Sequence, residues 1–72
     1  MVNFLPPHMG LTKREKDVLQ YAAWGHNVHS TAYELGISPG TVKNHRVAAI
    51  KRTKADSTTQ AVAIALRVGA IK

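Results

Sequence analysis

Leu35-Gly36-Ile37-Ser38-Pro39-Gly40-Thr41-Val42-Lys43-Asn44-His45 is the stretch on which the fold turns. Gly36 stands where a chain leaving a helix needs the left-handed backbone conformation, which costs glycine nothing. Ser38 can cap the next helix with its hydroxyl, and Pro39 falls at a first helical position, where a missing N–H is harmless. The pattern predicts two helices joined by a tight turn, the second running from Pro39 to roughly Lys54. A short helix, a turn with glycine and a longer basic helix form the helix-turn-helix arrangement, whose second helix lies in the major groove of duplex DNA.

Working outward, Thr12 and Glu15 have capping-box spacing, so a helix opens after Thr12, with Val18, Leu19 and Ala22 as its apolar stripe and Gly25 at its end. Asn27 caps a second, short helix with Thr31, Ala32 and Leu35 directed inward. Ser57 and Gln60 repeat the capping-box spacing before a last helix that Gly69 closes. No strand alternation interrupts the series, and the fold class is all-α, a four-helix helix-turn-helix domain over residues 11–72. Residues 1–10, with Pro6, Pro7 and Gly10, read as a flexible N-terminal arm.

Composition points to an anionic partner. Ten Lys plus Arg stand against four Asp plus Glu in 72 residues, for a net charge of +6. Between Leu35 and Ala55 there is no acidic residue at all. A merely solvated face mixes signs, as the first helix does with Glu15 and Asp17 among its lysines. The absence of cysteine removes disulfides, thiolate chemistry and sulfur-bound zinc. His8, His26, His29 and His45 have no acidic companions at ligand spacing and no nucleophile beside them, so neither a metal, a cofactor nor a catalytic residue is expected. No apolar run reaches membrane length and no signal-peptide pattern opens the chain; a cytoplasmic, nucleoid-associated protein with no membrane contact is expected.

Position along the third helix divides the DNA-facing residues. Its early turns meet base edges, which makes Lys43, Asn44 and Val47 the candidates for readout: Lys can donate to guanine, Asn can pair with adenine, and Val can touch a thymine methyl. Thr41, in the first turn, offers a hydroxyl and an amide to a phosphate. Arg46, Lys51, Arg52 and Lys54 read as phosphate contacts, while Val42, Ala49, Ile50 and Thr53 turn toward the other helices. Gly40 leaves room for a close duplex backbone. The last helix is apolar nearly all round; with Ala61, Val62 and Ala65 facing inward, Ile64, Arg67 and Val68 are left for self-association as a homodimer. Trp24 packs either against Phe4 and Leu5 of the arm or against a partner.

Three segments resemble LuxR-type helix-turn-helix domains. Leu11-Thr12-Lys13-Arg14-Glu15-Lys16-Asp17-Val18-Leu19 is similar to that family's L-T-x-R-E-x-x-V-L opening, and Leu35 to His45 to its L-G-I-S-x-x-T-V-K-x-H core. Thr59 to Ile71 resembles the fourth-helix tail, especially that of quorum-sensing members. The resemblance implies a homodimeric, sequence-specific regulator of transcription on inverted-repeat DNA, read through the positions matched by Lys43, Asn44 and Val47. The chain departs from the family where Arg52-Thr53-Lys54-Ala55 replaces the usual K-L-G-V, putting a polar residue at a core position and removing a turn glycine. The family's common N-terminal ligand-binding or phosphoacceptor domain has no counterpart in residues 1–10, so the chain reads either as a stand-alone regulator or as an excised domain. A different class of reading is a small interaction protein that binds another regulator or RNA polymerase and occludes it.

Overall fold

The computed structural model of the chain describes residues 7–72. Pro7–Gly10 form a 3-10 turn, followed by α1 (Lys13–Ala23), α2 (Val28–Leu35), α3 (Pro39–Thr53) and α4 (Thr58–Arg67), with no strand among the described residues. Pro7–Gly10, the end of the expected arm, form a turn that packs against α3. Proline fixes one backbone angle there, and Gly10 leaves the turn at φ 73°. Phe4 and Leu5, the expected neighbours of Trp24, lie outside the described residues.

Each helix begins on a side-chain cap. Thr12 Oγ1 accepts the Glu15 amide at 3.1 Å while Glu15 Oε1 accepts the Thr12 amide at 3.1 Å, which closes the expected capping box. Asn27 Oδ1 accepts the Ser30 amide at 2.8 Å, and Ser30 Oγ accepts the Asn27 amide at 3.1 Å, a second reciprocal box built from shorter side chains. Ser38 Oγ accepts the Thr41 amide at 3.1 Å, with Pro39 in the first turn as the sequence requires. At α4 only half of the expected box forms. Ser57 Oγ accepts the Gln60 amide at 3.1 Å, but the Gln60 carboxamide reaches one residue further back and accepts the amide of Asp56.

The helix ends share one geometry. The amide of the residue just after the reversal returns to a carbonyl five positions earlier: His26 to Tyr21, Ile37 to Ala32, Ala55 to Ile50 and Ala70 to Ala65, all at 2.9–3.1 Å. This is the Schellman pattern, and its pivot residue takes positive φ. Gly25, Gly36 and Gly69 are the pivots after α1, α2 and α4, but after α3 the pivot is Lys54 at φ 57°. The missing turn glycine therefore leaves the turn intact and makes its backbone strained. The polar residue at the core position is satisfied as well, because Thr53 Oγ1 donates to the carbonyls of Ala49 at 2.8 Å and Ile50 at 3.2 Å.

The core follows from these directions. Leu11, Leu19, Ala49, Ala61, Ala65 and Ile71 form one buried cluster, and Val18, Ala32 and Val42 another. Alanines at the crossings let backbones approach closely, so α3 lies against α1, α2 and α4 at once. Ile71 is held beneath a bracket in which the Gln20 carboxamide accepts the Lys72 amide at 2.8 Å and donates to the Lys72 carbonyl at 2.7 Å. No helix among the described residues is long and apolar enough to cross a membrane.

Replacing Lys54 by Gly relieves the left-handed strain and should raise unfolding free energy by about 1 kcal/mol, whereas Lys54→Ala gives no gain. Urea denaturation of the two variants beside the parent chain checks this; equal midpoints for Gly and Ala would mean that the pivot carries no strain.

Candidate nucleic-acid interface

The face of α3 that helps form the core is narrow. Val42, Ala49 and Thr53 are buried and Ile50 is half-buried, which leaves the opposite side of this 15-residue helix free. Lys43, Asn44, Val47, Lys51 and Lys54 are all exposed there. Val47 is 51% exposed, an apolar side chain in the middle of a polar surface.

Electrostatics set this face apart. Asp17 pairs with Lys13 at 3.4 Å and with Arg14 at 3.6 Å, both on α1. Glu15 pairs with Arg52 at 2.8 Å. Among the described residues, no ion pair neutralises Lys43, Lys51 or Lys54. At the start of the helix, Thr41 Oγ1 lies 2.9 Å from Ser38 Oγ, and a Cβ added at Gly40 would meet only Ser38 Oγ, at 3.8 Å. The domain's own packing does not require glycine at that position.

The structure divides the expected basic set in two. Lys51 and Lys54 are free and share a side with Lys43, but both arginines are held by the domain itself. Arg46 is half-buried: Nη2 donates to the His26 carbonyl at 3.4 Å, Nε is buried without a partner, and burial pushes the guanidinium below its ordinary pKa. It fastens the α1–α2 connection to α3. Arg52 donates through Nε to Glu15 Oε1, the oxygen that also completes the α1 capping box. From the sequence Glu15 is a cap and one of the mixed charges of a solvated face, but the structure buries it. Its spacing with Val18, Leu19 and Ala22, at i, i+3, i+4 and i+7, is the signal that it shares the inward stripe and needs an interior cation.

The remaining candidates fall elsewhere. On α4, Ala61 and Ala65 are buried and Val62 half-buried, as expected, with Ile64 half-buried, Arg67 exposed and Val68 42% exposed. Leu66, not singled out from the sequence, is exposed as well. Trp24 is 63% exposed, its ring edge-on to Tyr21 at 5.3 Å between centroids. His45 is half-buried, and His26 Nδ1 lies 3.1 Å from Ser30 Oγ within the α1–α2 connection. No group of His, Asp or Glu among the described residues is placed to hold a metal ion.

Comparison with known proteins gives this arrangement a family. The transcriptional regulatory protein FixJ of Azorhizobium caulinodans is 40% identical over 60 residues, a match that covers 83% of this chain and 28% of FixJ. The quorum sensing-dependent transcriptional regulator RpaR of Rhodopseudomonas palustris is 40% identical over 62 residues, covering 86% of this chain and 26% of RpaR. The chain thus spans little more than a quarter of the length of these relatives. In three dimensions it is similar to the transcription factor GerE, with a TM-score of 0.82 at 29% identity over 86% of this chain and 92% of that one. Residues 9–65 match the family described as bacterial regulatory proteins, luxR family. With three helices packed against a basic α3, the chain belongs to the LuxR family, whose members are helix-turn-helix regulators of transcription and not enzymes.

Proposed function

We propose that this domain binds double-stranded DNA sequence-specifically, with α3 in the major groove, and that two copies meet through α4 on an inverted repeat. The observation that carries the reading is the exposed side of α3, where among the described residues Lys43, Lys51 and Lys54 have no acidic partner and Val47 stands half in solvent. Lys43, Asn44 and Val47 read base edges from the early turns; Thr41, Lys51 and Lys54 contact phosphate. Arg46 is left out of the phosphate set because it is committed to the helix packing.

Selection of bound duplexes from a random pool tests the reading directly, because it returns site, symmetry and half-site spacing together. Enrichment of a palindrome with half-sites about one helical turn apart is expected. No enrichment over random DNA would remove the sequence-specific reading.

Lys43→Ala and Asn44→Ala should each cost about 1–3 kcal/mol on the selected site and relax preference at particular base pairs. Equal losses on selected and random duplex would show that neither residue reads bases. Lys51→Gln should instead weaken both duplexes alike and lower the slope of log affinity against log salt by about one. Titrations at several salt concentrations measure that slope directly.

Dimerisation is a separate test. The patch of Val68, Arg67 and part of Ile64 is small, so the free chain is expected to be monomeric at micromolar concentration and to pair when two half-sites raise its effective concentration. Val68→Glu, at an exposed position, should leave single-half-site binding unchanged and abolish cooperativity on the full repeat. Cooperative binding that survives this change, but not Leu66→Glu, would move the interface to the other side of α4.

A further inference from the structure

The geometry points to Glu15 as a positioning residue for DNA: it fixes Arg52 through one edge of the guanidinium so that the other edge meets a backbone phosphate. The inference rests on the reading above that α3 lies in the major groove. Arg52 uses Nε alone to reach Glu15 Oε1, at 2.8 Å. A guanidinium has five N–H donors in a rigid plane, and those on Nη1 and Nη2 make no hydrogen bond among the described residues. The burial pattern agrees with this split, since the Glu15 side chain is 5% exposed and that of Arg52 46%. The pair has a dry end and a wet end.

The wet end opens where a phosphate would approach. Arg52 lines a shallow depression with Lys51 and Ala48, so two cations flank a side chain too small to hold a duplex backbone off. No acidic residue lies on α3 to compete for them. Lysine could not serve in the same way, because a single ammonium is a point charge, whereas a guanidinium presents separate donors to two oxygens on different sides. Anchoring Nε removes most of the side chain's rotamer freedom before DNA arrives, so less is lost when the phosphate contact forms.

Glu15→Gln and the double variant Glu15→Gln/Arg52→Gln separate this role from a purely structural one, with binding to random duplex followed as a function of salt. The double variant leaves no unpaired buried charge and keeps the parent's net charge, so nonspecific attraction is unchanged. If Arg52 contacts phosphate, its log–log salt slope falls by about one; an unchanged slope in a folded double variant overturns the proposal. Glu15→Gln alone retains an oxygen for the Thr12 amide and raises net charge by one. A merely structural pair then predicts equal or tighter binding, whereas loss of positioning weakens it by about 2- to 5-fold. Circular dichroism at the assay temperature confirms that both variants are folded. Lys51→Gln provides the internal comparison: if it lowers the slope and the double variant does not, only the role of the Glu15–Arg52 pair falls, and if neither does, the placement of α3 in the groove falls with it.

Discussion

The Glu15 carboxylate joins the first turn of α1 to the last turn of α3, accepting the Thr12 amide and the Arg52 Nε on the same oxygen. A carboxylate this deeply enclosed is costly to desolvate, and leaving it without its cation would cost about 3–5 kcal/mol for a fully buried pair, less here because Arg52 is half in solvent. For a small domain with total stability of about 5–15 kcal/mol that is a large share. The joint also sets a distance. With the C-terminal end of α3 tied to the start of α1, and Arg46 tying its middle to the α1–α2 connection, α3 is fixed at two points along its length.

This fixation matters because the hydrophobic core alone specifies α3 weakly. The side chains it contributes to the fully buried interior are Val42, Ala49 and Thr53, small or polar groups that give little apolar area. Small residues at a helix crossing allow close approach but few interlocking contacts, so rotation of α3 about its axis is resisted less than it would be by leucines. Polar ties at both flanks supply what the core lacks. They explain why Arg46 faces the domain and why Arg52 is anchored by one edge of its guanidinium, although a charge count assigns both simply to DNA.

Local chemistry made the helices legible. Thr12, Asn27 and Ser38 cap where their spacing says they should, and Gly25, Gly36 and Gly69 reverse the chain after three of the helices. These signals operate within a few residues, and the sequence displays such neighbours directly. The exposed face of α3 was legible for the same reason, because helical periodicity sorts Lys43, Val47 and Lys51 from Val42, Ala49 and Thr53. What could not be read was pairing across the fold. Glu15 and Arg52 are 37 positions apart, and Arg46 meets a main-chain carbonyl 20 positions away that has no sequence signature at all. The strained Lys54 escaped for another reason: without glycine the sequence predicts no left-handed turn, yet the 6→1 bond from Ala55 to Ile50 forms regardless.

The same face that would bind DNA opposes the stability of its own helix. Lys43, Lys51 and Lys54 gather positive charge on this face with no acidic residue between Leu35 and Ala55, and like charges brought together on a helix surface repel. Gly40 in the first turn lowers helix propensity further, and nothing inside the domain asks for it. Val47 is left half in water. None of these features improves folding, and all lie on one side of one helix, whereas α1 mixes its charges and pairs Asp17 with Lys13 and Arg14. Local rules broken together on a single surface mark a surface shaped for a partner. Added salt then acts on the two properties in opposite senses: it screens the repulsion along α3 and so favours the folded helix, while it weakens the attraction to phosphate for which that repulsion is retained.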